Sequence, residues 1–355
     1  MFQSLPLPFL FLLFCLSLLI TLSASAWFTH RLEKICSLLG LSSRLLSLLG
    51  ASGANIPNYA ASIFSIASGQ VVTGLGIIIG SNIYNCAIIL AVAAFAAPGR
   101  HGLALPFKRA SKEARAVRNV AGYSLAIVFT ATLIIWLLPG TLLPQAIALP
   151  PLTTLALLAA IVSTFSLFAI LVFQAFKAKD ENEDEDNQET HGEGESERMK
   201  KVKQRAEMVR LTGEIVLALA IALGGVVVMV QSGQALTGAL HMPPVLAGLL
   251  VLAVATSLPN TVVAFSLARD NRASACIEEI FSSNSINATL GIALPLAFWH
   301  AALNDRLLLI LDAPLMVALT LIALVLAYRR RVTPLAGSLL VAVYVVWVVA
   351  HVWAG

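Results

Sequence analysis

Val254 to Phe265 reads VATSLPNTVVAF, placing a proline and an asparagine among hydroxyls inside a run otherwise apolar enough to cross a bilayer. Proline lacks a backbone N–H and frees the carbonyl one turn before it. Such a break at bilayer depth is tolerated where the freed groups face a partner or a water-filled path. The stretch does not stand alone. At an offset of 202 residues, without a gap, NIPN (Asn55 to Asn58) falls on SLPN (Ser257 to Asn260), and GSNIYN (Gly80 to Asn85) falls on SSNSIN (Ser282 to Asn287). Each half of the chain thus carries a Pro-Asn element and then a Ser-Asn-x-x-Asn element.

The surroundings of these elements are membrane-like. Of the 355 residues, 58% are hydrophobic and 12% charged, and the mean hydropathy is +0.86. Apolar runs of about 20 residues, the length that crosses a hydrocarbon core, lie at 6–26, 42–66, 71–97, 119–139, 151–176, 209–231, 242–267, 274–300, 307–328 and 334–354. The expected fold is therefore all-α, a polytopic membrane protein of ten transmembrane helices. The N-terminal run ends in small residues, as a cleaved signal peptide does, but no Lys or Arg precedes it, and it is read as the first membrane helix.

Basic residues test that count, because they accumulate in cytoplasmic loops. Of the 23 Lys and Arg residues, all but Arg306 fall in the connections after spans 1, 3, 5, 7 and 9. Both termini are expected outside, and the plasma membrane is the expected location. With five spans per half, the second half enters from the opposite face, which makes two inverted five-helix repeats, residues 1–176 and 209–355. Between them, 177–208 holds DENEDEDNQETHGEGESE and then RMKKVKQR, and reads as a solvated cytoplasmic linker.

Inverted repeats with interrupted helices are how secondary transporters present backbone oxygens and helix ends to an ion near the midplane. Asn58 and Asn260 offer amide oxygens one residue after each proline, while Ser81 with Asn85 and Ser283 with Asn287 stand four apart on one helical face. Asn55, Thr256 and Ser257 complete the polar set. Single polar residues in membrane helices commonly serve packing. Recurrence in register across both halves favours a cation site instead.

These elements resemble the signature repeats of the calcium:cation antiporters, the sodium/calcium exchanger family, whose pattern runs approximately G-T-S-x-P-E and then G-N-x-x-G-S-N-x-x-N. The matching residues are Gly53 to Asn58 with Gly76 to Asn85, and Ala255 to Asn260 with Glu278 to Asn287. The resemblance implies the five-plus-five fold and antiport of cations, with calcium and sodium as cargo rather than cofactors. It also departs from the pattern at a telling place. Where the family carries an acid after each motif proline, this chain carries Asn58 and Asn260. Calcium binds through six to eight oxygens and gains affinity from carboxylates, so a site of amides and hydroxyls suits a monovalent ion better. Glu279, on the face of Ser283 and Asn287, could restore one carboxylate or reach the interface. Glu278 reads as interfacial. Glu214 and Asp312, the remaining acids inside spans, are isolated in sequence.

The leading expectation is a secondary antiporter exchanging calcium or another cation for sodium or protons by alternating access. The alternative is a transport-inactive scaffold or ion sensor on the same fold. The expected partners are the bilayer and inorganic cations, not nucleic acid. No HExxH or GxSxG motif occurs, the six histidines are scattered, and Cys15, Cys36, Cys86 and Cys276 lack ligand spacing. An enzyme and a bound cofactor are not expected.

Overall fold

Backbone groups withdrawn from water must be satisfied within their own segment, so the apolar runs fold as helices. The computed structural model describes residues 2, 5–39, 43–99, 101–105, 112–138, 150–177, 194–299 and 302–354. The first half contains α1 (Leu7–Leu38), α2 (Ser43–Ala54), α3 (Ile56–Ala67), α4 (Val71–Tyr84), α5 (Leu90–Ala96), α6 (Lys112–Trp136) and α7 (Pro150–Lys177). The second contains α8 (Gly194–Ala239), α9 (Pro244–Leu246), α10 (Ala253–Arg269), α11 (Ala273–Ile286), α12 (Leu294–Phe298), α13 (Ala313–Tyr328) and α14 (Pro334–Ala354). Wider π-helical turns at Asn85–Ile89, Ala247–Leu252 and Asn287–Ala293 join α4 to α5, α9 to α10 and α11 to α12, and a fourth, Leu308–Asp312, leads into α13.

The chain is an all-α, multi-pass membrane protein. Among the described residues, eight helices are long and apolar enough to cross a membrane. The expected ten are therefore not reached on length and composition alone, and the shortfall has a physical source. The second span is divided at Asn55 between α2 and α3, with Pro57 in the first turn of α3. The eighth, from α11 to α12, holds Glu278, Glu279, Ser282, Ser283, Asn284, Ser285 and Asn287. Large apolar side chains such as Phe11, Leu19, Leu155, Phe173 and Val346 stand exposed on the outside, as a lipid-facing surface requires.

One apolar core unites α4, α5, α6, α10, α11 and α13. A second lies between α1, α3, α8 and the Ala247–Leu252 turn. α4 approaches that turn very closely. A Cβ on Gly80 would run into the Leu249 carbonyl oxygen, and one on Gly248 would come within 2.5 Å of the Thr73 carbonyl oxygen. Away from the cores, the connection after α5 forms β1 (Leu103–Ala104), which pairs antiparallel with β2 (Arg331–Val332) between α13 and α14. These two basic connections therefore share one end of the bundle, as the alternation of charge required.

Two local readings change. The basic end of the stretch read as a linker is helical, because α8 already begins at Gly194. Lys34 pairs with Glu207 at 3.0 Å and Gln204 Nε2 donates to the Leu38 carbonyl at 3.2 Å, holding this extension against the end of α1. The acidic residues 178–193 lie outside the described residues. Pro259, in turn, does not end its helix. α10 runs through it, and the irregularity lies about two to three turns earlier, in the π-helical turn at Ala247–Leu252.

Candidate functional site

The two Ser-Asn-x-x-Asn elements cross near the centre of the molecule and bond reciprocally. Asn85 Nδ2 donates to Asn284 Oδ1 at 2.9 Å, and its counterpart Asn287 Nδ2 donates to Asn82 Oδ1 at 3.1 Å. A residue later in one helix meets an earlier one in the other, in both directions, which is the pattern of an antiparallel crossing about a local two-fold. The π-helical turns begin at the same two residues, Asn85 and Asn287. The repeat read at an offset of 202 is thus expressed in the packing. Asn82 also reaches the Asn284 carbonyl at 3.4 Å, and Asn284 Nδ2 donates to Cys86 Sγ at 3.0 Å.

A second network centres on Asn55, at the interruption between α2 and α3. Its Nδ2 donates to the Ala51 carbonyl at 2.7 Å and to Ser283 Oγ at 2.8 Å. Because a carbonyl can only accept, the first bond fixes which side of the amide is nitrogen. Asn55 Oδ1 then accepts from Asn58 Nδ2 at 3.0 Å and from Asn260 Nδ2 at 2.8 Å. Both neighbours are thereby forced to turn their amide oxygens away from Asn55. Ser283 Oγ completes the chain by donating to Glu279 Oε1 at 2.9 Å.

This arrangement leaves a set of buried oxygens without hydrogen-bond partners: Asn58 Oδ1, Asn260 Oδ1, Asn85 Oδ1, Asn287 Oδ1, Ser257 Oγ and Glu279 Oε2. The four amides form two pairs related by the repeat offset. An unsatisfied polar atom in a protein interior costs about 1–3 kcal/mol, a cost that a bound cation or water would offset at these atoms. Every amide in the set already spends its donor group, which leaves acceptor oxygens, the chemistry of a dehydrated cation.

All ten candidate residues are buried, nine of them fully and Glu279 at 3% exposure. Asn55, Asn58, Asn260, Ser283 and Glu279 belong to one network, and Asn85 and Asn287 to the other. Ser81 sits against α10, where its hydroxyl donates to the Ala253 carbonyl at 3.4 Å. Thr256 donates within its own chain, to Leu252 at 2.7 Å and Ala253 at 3.2 Å. Glu279 thus lies inside the bundle rather than at the interface. Glu278 lines a small cavity of about 80 Å³ with Asn119, Gln174 and Ser282. Glu214 is not isolated, since it pairs with Arg31 at 2.6 Å and Arg210 at 3.2 Å on the partly exposed side of α8. Sequence reasoning passed over Asn82 and Asn284 as ligand-setting residues, although both stand in the repeated motif.

Comparison with known proteins bears on the family and the fold. The family model described as sodium/calcium exchanger protein matches residues 9–176 and 211–353. A protein named as an antiporter, CaxA of Alkalimonas amylolytica, is 39% identical over 85 residues, which is 24% of this chain and 27% of that relative's length. The structure of an H+/Ca2+ exchanger, CAX, superimposes with a TM-score of 0.72 at 18% identity, covering 96% of this chain and 82% of that one. The sodium-calcium exchanger NCX_Mj superimposes with a TM-score of 0.61 at 19% identity, covering 97% and 99%. At such identities these likenesses speak for the fold.

Proposed function

Because the chain belongs to the sodium/calcium exchanger family, we propose that it is a secondary antiporter that carries cations through the bundle by alternating access, with the ion held by the oxygens that the Asn55 network aims into the interior. The observation that carries this reading is the set of buried acceptors without partners, arranged in pairs by the two-fold. In this reading Asn58, Asn260, Asn85 and Asn287 supply amide oxygens, Glu279 supplies a carboxylate, Asn55 orients Asn58 and Asn260, and Asn284 and Asn82 orient Asn85 and Asn287. Ser81, Thr256, Ser257 and Ser283 supply hydroxyl oxygens or hold neighbouring ligands in place. Rocking of the α1, α3 and α8 side against the larger core would expose the set to each face in turn. Both termini face outward and the basic connections face the cytoplasm of a cell whose plasma membrane holds the protein.

Reconstituted protein should exchange calcium, sodium or potassium against an opposing cation or proton gradient. Asn260→Ala should lower the rate by about 10- to 100-fold, the usual effect of disturbing a residue that sets a metal site. Protein that moves none of these ions under any gradient overturns the reading. A second reading, an ion sensor without transport, draws on the amides that replace the family's motif acids. It would show as a cation-dependent rise in melting temperature with no flux.

A further inference from the structure

Asp312 and His351 lie 39 positions apart and meet inside the bundle, away from the oxygens described above. Asp312 is fully buried and His351 is 2% exposed. His351 Nε2 stands 3.0 Å from Asp312 Oδ1 and 3.2 Å from Oδ2, while its Nδ1 stands 3.0 Å from the Trp347 carbonyl oxygen. The same carboxylate accepts from the Trp347 indole Nε1 at 2.7 Å. Facing an ionised carboxylate and a backbone carbonyl, both ring nitrogens would point at atoms that can only accept. A neutral imidazole carries one N–H and can serve one of them, whereas the doubly protonated ring serves both. A proton held by the pair takes it from a net charge of −1 to neutral.

The pair is joined to the cation site by a column of rings. His351 lies 5.1 Å from Trp347, Trp347 lies 5.4 Å from Tyr344, and Tyr344 lies 5.9 Å from Tyr84, centroid to centroid. Tyr84 directly precedes Asn85, and its hydroxyl receives a bond of 3.5 Å from Thr261, the residue after Asn260. The column thus ends beside Asn85 and Asn260, two of the four residues that carry the amide oxygens.

Few other ionisable groups face the pair. Asp305, which accepts from the Leu308 amide at 2.9 Å, and Arg306 lie on the approach to the Leu308–Asp312 turn. Tyr344 is on α14, Tyr84 ends α4, and Cys86, 3.8 Å from Thr320, is on the Asn85–Ile89 turn. α5 has no ionisable residue. α6 meets this region through Trp136, which donates to the Leu309 carbonyl at 2.9 Å, while its Arg115 and Arg118 lie toward the opposite end, Arg118 over Tyr328.

We propose that Asp312 and His351 form a proton-binding site separate from the cation site, and that its occupancy reaches the amide oxygens through Trp347, Tyr344 and Tyr84. The second half of this statement rests on the exchange reading, and the first does not. Two measurements on the full-length protein test them. In detergent, 15N spectra of the His351 imidazole, assigned by comparison with His351→Gln, should show the doubly protonated ring giving way to a neutral one within about pH 5 to 8. A ring that stays neutral, or one that never releases its proton, across that range overturns the proton site, whatever the transport result. In proteoliposomes loaded with calcium, sodium or potassium, the exchange rate should change by about threefold or more over the same range. His351→Gln should flatten that dependence, and Tyr344→Leu should flatten it while leaving the His351 spectrum unchanged. If both variants keep the wild-type pH profile, the coupling is overturned. If no ion moves at any pH, the exchange reading and the coupling fail together, and the spectrum still decides the proton site.

Discussion

At the scale of single residues, Asn55 decides what its neighbours can offer. Its own amide is saturated by Ala51, Ser283, Asn58 and Asn260, which in the proposed site makes it the part that orients Asn58 and Asn260. The charge at this network is a separate matter. Glu279 is the carboxylate among the ten candidate residues, and in the proposed site its ionised form would balance one monovalent ion. A calcium ion would leave a surplus positive charge in a medium where uncompensated charge costs several kcal/mol. Asn58→Glu with Asn260→Glu should therefore raise divalent affinity by about tenfold or more, through added carboxylates at positions already aimed inward. Calcium titration of the purified variant, followed by its melting temperature, checks this. An unchanged calcium response would mean that the two side chains do not face the ion.

At the scale of elements, the close seating of α4 against the Ala247–Leu252 turn is what brings Ser81 to the Ala253 carbonyl. Gly80 has no room for a side chain, whereas Gly224 on α8 faces open space. Gly80→Val should cost about 1–3 kcal/mol through overpacking, visible as a lower melting temperature, and should disturb cation binding as well. Gly224→Ala should leave both near wild type. How much of this could be read in the sequence depended on the kind of signal. The motif spacing located the helices that cross and the residues where the π-helical turns begin. It could not show that the helix survives Pro259, because continuation through a proline is settled by the packing around α10 rather than by the local sequence. Nor could it show Asn55 as the organiser, since the choice between ligand and orienting group depends on which acceptor lies beside it. Asp312 and His351 are the extreme case. Their proximity comes entirely from the packing of α13 and α14, and no local pattern links them.

At the scale of the whole molecule, the structure holds two apolar cores, and in the proposed exchange cycle the parts built on them would shift against each other. The β1–β2 ribbon marks a boundary that should not open, because it joins the connection after α5 to the one before α14 within the larger core. Ala104 and Arg331 are partners in that ribbon. Ala104→Cys with Arg331→Cys, oxidised to a disulfide, should leave the exchange rate within about twofold of the reduced protein, as expected of a tether within one rigid body. A rate that collapses on oxidation and recovers on reduction would place the moving boundary through the ribbon instead. The 202-residue offset was legible in the sequence and returns in the reciprocal bonds of Asn85 with Asn284 and Asn287 with Asn82. The helical extension of α8 was not, because its support comes from Lys34 and Leu38, far away in sequence.

The repeat is imperfect at one position that matters for traffic. Glu279 corresponds through the offset to Ile77, so one copy of the motif is ionic where the other is hydrocarbon. Loading from opposite faces would then meet unlike electrical landscapes, and uptake and extrusion under mirrored gradients should run at unequal speeds, in the manner of a rectifier.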